Sequence, residues 1–172
     1  MTFYLSLFVS LILIIIAVFS VILSYADSNR MRAFVSAKAL KEHLDVVIRS
    51  VVEYIYKQDA DPASTTQLQP LANRYSGLKK NKDAFDAISL ANSIVTLYNS
   101  LDISHSLSSY ADARVELRDA LAAIKRLRFE YNKSVEKLNK MLNKRLIAGA
   151  GKVLRMKKLE ELCDLSSSFY GV

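Results

Sequence analysis

The sequence predicts an all-α protein: an N-terminal transmembrane helix, then an antiparallel three-helix bundle of long helices, then a short basic C-terminal tail. Three observations predict this. Residues Phe3 to Leu23 carry no charged side chain. Four Gly and two Pro in 172 residues leave few places where a helix must break. Apolar residues return at spacings of three and four, and no segment alternates with period two for long enough to form a strand. The organisation read from this is an anchor over 1–25, a helical body over 26–146 and a tail over 147–172.

The anchor comes first. FYLSLFVSLILIIIAVFSVIL is interrupted only by the hydroxyls of Ser6, Ser10 and Ser20. At about 1.5 Å per residue such a helix is roughly 30 Å long, the thickness of a bilayer's hydrocarbon core. A cleaved signal peptide is the rival. It wants a basic flank before a shorter apolar core, and no Lys or Arg precedes this run. Retention as an anchor is therefore expected. Arg30, Arg32, Lys38 and Lys41 outnumber Asp27 and Glu42 just after the run. By the positive-inside rule the N-terminus lies outside and the rest is cytoplasmic, at the cell's inner membrane. Tyr4 and Tyr25 stand where interfacial aromatics would stand.

The first helix of the body runs to about Tyr56. Ala37, Leu40, Leu44, Val47, Val51 and Tyr54 form an a/d seam, and Ile48, Val52 and Ile55 widen it. No Gly or Pro separates this helix from the anchor. Gln58 to Pro70 holds both prolines and reads as a connector, with a short helix from about Ser64 reset at Pro70. A second long helix is expected over about 82–100, with Phe85, Ile88, Ala91, Val95 and Tyr98 on one face. Leu101 to Leu107 is a loop. The third long helix carries Leu117, Leu121, Ile124, Tyr131, Val135, Leu138 and Leu142 in a/d register, interrupted by Arg128. Gly149 and Gly151 then end or kink it. A short basic amphipathic helix is expected after them, with Val153, Leu154, Met156, Leu159 and Leu162 on its apolar side.

Charge is concentrated late in the chain. Between Lys125 and Lys158 twelve basic residues face only Glu130 and Glu136, a local excess of ten against +7 for the whole chain. A solvated helix face, contact with anionic lipid and contact with nucleic acid all fit such a block. Only Phe129 and Tyr131 interleave with the cations, and no nucleic-acid motif is present, so no nucleic-acid partner is expected. An anchored domain is already near lipid. Lys140, Lys144, Arg145, Lys152, Arg155, Lys157 and Lys158 are the expected lipid contacts.

The sequence offers no catalytic constellation. His43 and His105 are far apart, and neither has metal-ligand spacing to another His or to Cys163. Ala148 to Lys152, AGAGK, lacks the spacing of a phosphate loop. No enzymatic activity, cofactor or metal is expected.

Arg128 to Lys152, RFEYNKSVEKLNKMLNKRLIAGAGK, resembles the LemA family. The likeness rests on Arg128, Tyr131, Asn132, Val135 and Asn139, followed by Leu146, Ile147, Ala148 and Gly149. Leu40 to Tyr54 resembles the family's first soluble helix, although Ile48 stands where the family usually has proline. The resemblance implies an antiparallel helical bundle on a membrane span and no enzymatic activity. Arg128, Tyr131, Asn132, Leu146, Ile147, Ala148 and Gly149 would be structural motif residues. The expected function is a self-associating membrane scaffold or membrane-shaping protein, a homo-oligomer contacting anionic lipid through its basic C-terminal region. The alternative is a tethered adaptor or sensor whose bundle groove binds a partner protein.

Overall fold

The computed structural model describes residues 2–57, 62–79, 83–101, 115–144 and 156–165. Its longest element, α1, is a single helix from Thr2 to Lys57. Fifty-six residues at 1.5 Å each give a rod of about 84 Å. No Gly or Pro lies in it, so nothing interrupts its hydrogen-bond ladder. Its two parts bury different amounts of surface. From Tyr4 to Val18 every residue is exposed, although nearly all are apolar. From Ala26 onward a stripe is fully covered: Ala26, Ala33, Ala37, Leu40, Leu44, Val47 and Val51. Among the described residues, α1 alone is long and apolar enough to cross a membrane, and its most apolar window is entirely unburied.

Three further helices follow: α2 from Pro62 to Ser76, α3 from Ala84 to Ser100 and α4 from Val115 to Leu142. All three pack on α1. Among the described residues the body consists of the later part of α1 with α2, α3 and α4. The short helix expected from about Ser64 is α2, which starts at Pro62 and runs to Ser76. Leu68 and Tyr75, seven residues apart, share one helix face, and both are buried in the main core. Pro70, expected to reset the helix, sits inside α2 on the exposed side. There its missing N–H costs one ladder bond without stopping the helix.

Aromatic contacts fix the registers. Phe34 meets Phe85 at 5.7 Å between ring centroids, and Tyr54 meets Tyr98 at 6.4 Å. Asp45 accepts a 3.0 Å bond from the Tyr75 hydroxyl, and Tyr56 is bonded to Gln69. The Lys41 ammonium, nearly buried, is held by Asp45 at 2.8 Å and lies 5.1 Å from the centre of the Tyr75 ring. A buried cation needs such partners, because desolvation alone would cost several kcal/mol. Burial, followed by the Asp45 charge and hydrogen bond, pushes the Tyr75 phenol well above its ordinary pKa.

A second, smaller cluster joins Ala26 of α1 to Leu138 and Leu142 of α4, with Met141, Met156 and Leu159 against it. Further along, Met31, Arg32 and Val35 face Glu130 and Ser134 across a shallow cleft. The last turn of α4 thus lies beside Ala26, three residues after the apolar run ends.

The tail departs from expectation. Residues 156–164 form no helix. Leu162 and Leu165 are nonetheless buried, and Leu159 and Cys163 are packed against the main core.

Candidate functional site

The tail is held by side-chain amides. Asn132 donates from Nδ2 to the Leu162 carbonyl at 2.9 Å and accepts the Leu162 N–H on Oδ1 at 2.9 Å. Asn139 does the same to Leu159, at 2.8 and 3.0 Å. Asn92, on α3, donates to the Glu161 carbonyl at 2.8 Å and to Glu160 Oε1 at 3.0 Å, and accepts the Cys163 N–H at 3.0 Å. The Tyr131 hydroxyl donates to the Glu160 carbonyl at 2.8 Å. Arg128 closes the row with a 2.9 Å ion pair to Asp164.

These contacts determine the tail's geometry. Asn139 and Asn132 are seven residues apart, two helical turns, so both amides stand on one face of α4 about 10.5 Å apart. They grip residues only three apart in the tail. The rise is therefore about 3.5 Å per residue, that of a fully extended chain. Tail numbers climb from 159 to 164 while α4 numbers fall from 139 to 128. Leu159, Leu162 and Leu165 return to the covered side every third residue, with Glu160 and Glu161 exposed between the first two. That threefold spacing of leucines suggests a helix when read alone. It fails as a helix because the backbone groups a helix would use are taken by Asn92, Asn132 and Asn139. Each amide presents the tail backbone with a donor and an acceptor, as a neighbouring strand would, and Asn92 also donates to the Glu160 carboxylate.

The motif residues are accounted for accordingly. Arg128, Tyr131 and Asn132 come together on the tail, and Asn139 joins them. Val135 is fully buried between them in the core. Burial, then the Glu160 and Glu161 charges, raises the Tyr131 phenol well above its ordinary pKa, so it remains a donor. Burial likewise raises the Cys163 thiol, which suits a packing role rather than a reactive thiolate. Leu146, Ile147, Ala148 and Gly149 lie outside the described residues. Asn92 was not anticipated, since no periodicity marks an Asn that acts 71 residues away. The two-turn spacing of Asn132 and Asn139 was a usable signal.

The expected lipid-facing residues divide similarly. Lys140, Lys144, Lys157 and Lys158 are exposed. Lys140 lies on the last turn of α4 and Lys144 two residues past its end, both near the turn that packs beside Ala26. Lys157 and Lys158 lie between Met156 and Leu159, both of which pack in the Ala26 cluster. All four therefore gather around the end of the apolar run. Lys140 pairs with Glu136, and the bond lowers that carboxyl and raises the ammonium from their ordinary values. Arg145, Lys152 and Arg155 lie outside the described residues. Among the described residues no group of three or more His, Cys, Asp or Glu could hold a metal ion.

No protein-family model matches the chain, and neither a curated protein nor a solved structure does.

Proposed function

We propose that this is a non-enzymatic, single-pass membrane scaffold of LemA type, with its N-terminus outside and a cytoplasmic helical body. The body is an antiparallel bundle, a sense supported by the pairing of Ala26 with Leu138 and Leu142 at one level and of Val35 with Glu130 at the next. One observation carries the lipid reading. The end of α4 and the start of the tail both lie within about 5 Å, along the α1 axis, of the point where the apolar run stops. Lys140, Lys144, Lys157 and Lys158 then stand inside a Debye length of the headgroups, about 8 Å at physiological salt. Residues 145–155 join two ends that both lie at this level, and their sequence adds Arg145, Lys152 and Arg155. Each cation near an anionic surface contributes about 1 kcal/mol. The groove between α3 and α4 is filled by the chain's own tail, which favours a scaffold over an adaptor whose groove stands open.

The test uses the full-length protein in vesicles of neutral or anionic lipid, with amine-reactive labelling read by mass spectrometry. Lys140, Lys144, Lys157 and Lys158 should be protected in anionic vesicles only, while Lys57 and Lys125 label equally in both. Equal labelling of the four in both lipids would refute the lipid contact.

A further inference from the structure

We propose that the groove between α3 and α4 is an exchange site, which takes residues 156–165 of a second, neighbouring copy of this chain in place of its own tail. The inference rests on the scaffold reading above and supplies its contact. Three features support it. First, Asn92, Asn132, Asn139 and Tyr131 bind the tail chiefly through main-chain groups, so a tail arriving from another copy makes the same bonds. The pockets for Leu162 and Leu165 select this same segment.

Second, the chain between groove and tail is long. Met156 packs in the cluster that holds Leu142, so the two ends lie side by side. A reversal between adjoining elements takes about 2–8 residues. Here residues 145–155 intervene, a stretch that can reach roughly 40 Å when extended. A bundle two helices thick is about 20–25 Å across. A neighbour's groove is within reach.

Third, α1 is continuous from the apolar run into the body. Copies anchored in one bilayer therefore hold their grooves at the same height and in the same sense. Exchange between them needs only lateral approach, and tethering in the plane raises the effective concentration. At low density each chain fills its own groove. At high density exchange links copies, in closed pairs when reciprocal and in open rows when each chain passes its tail onward.

The experiment uses full-length protein in membranes, with Cys163→Ser in every copy. One tagged copy carries Arg128→Cys and a differently tagged copy carries Asp164→Cys. Losing this partly exposed ion pair costs little. A short bismaleimide should join the two tags, with a yield that rises with expression level. Adding Asn132→Asp and Asn139→Asp to the Arg128→Cys copy should lower the yield at least tenfold. Crosslinks confined to chains carrying both cysteines would overturn exchange, as would mixed-tag crosslinks that survive the asparagine changes. Absence of crosslinking even within a doubly substituted chain would overturn the docked tail itself. The readout is expected in neutral and anionic lipid alike, so its failure is distinct from failure of the lipid contact.

Discussion

Asn132→Asp isolates the chemistry of the clamp. The two side chains have nearly the same shape, so packing is preserved. The carboxylate still accepts the Leu162 N–H. Its second oxygen, however, replaces the amide that donated to the Leu162 carbonyl at 2.9 Å. One hydrogen bond, worth about 1 kcal/mol, becomes a contact between two acceptors. Leu162 is only 2% exposed, so water cannot readily rescue its carbonyl. A buried acceptor left unsatisfied adds about 1–3 kcal/mol, for a total of roughly 2–4 kcal/mol against the docked tail. That converts to a roughly 30- to 1,000-fold larger open population at neutral pH. Hydrogen exchange of the 156–165 amides measures it directly, because the tail can open while the bundle stays folded. The sign with pH is fixed. The docked state favours the protonated carboxyl, which can donate to Leu162, so its folded pKa is raised above the unfolded value of about 3.9. Docking is then fullest below that unfolded value and weakens as pH rises through the raised one. Asn132→Ala should show the loosening without the pH dependence. Tail exchange within about threefold of wild type at pH 7, or indistinguishable pH profiles for the two variants, would refute the clamp.

Leu162→Ala should cost about 2–5 kcal/mol of tail docking, seen as the same exchange spreading across 156–165, because it empties a covered pocket of the main core. Alkaline stability should fall beyond pH 10. Tyr75 and Tyr131 have raised folded pKa values, so their contribution is whole below the unfolded value of about 10 and declines above it. Circular dichroism against pH should show a slope approaching about 1.4 kcal/mol per pH unit for each phenol, flattened in Tyr75→Phe. Ile14→Arg places a charge at the middle of the exposed apolar run and should cost about 3 kcal/mol of insertion, measured as release by carbonate extraction.

The helices were legible because each is written in local spacing. The seam from Ala37 to Tyr54 and that from Leu117 to Leu142 are buried where the periodicity put them. The apolar run needed only a count of uncharged residues. Pro70 misled because a proline's effect depends on which side of the helix it faces, and that is set by Leu68 and Tyr75 finding a core. The tail misled for a different reason. Leucines at 159, 162 and 165 satisfy a helix pattern and a clamped extended strand equally well. The decision lies with Asn92, Asn132 and Asn139, distant residues that capture the backbone before it can bond to itself.

The same asparagines connect the motif to the end of the body next to the apolar run. Arg128, Tyr131, Asn132 and Asn139 look like a polar decoration of α4 when seen on one helix. In the fold they lay the tail along α4, and the direction they impose brings Met156 and the adjoining Lys157 and Lys158 back beside Ala26. A tail docked in the opposite direction would carry those lysines about 20–30 Å along α4, away from the end of the apolar run. The clamp therefore decides where Lys157 and Lys158 sit, as well as how the tail is held. On the proposed lipid reading, substitutions at Asn132 should remove the protection of Lys157 in anionic vesicles while leaving Lys140, which is carried by α4 itself, protected. Loss of protection at both lysines together would mean that contact at Lys140 depends on the docked tail, and would refute this independence.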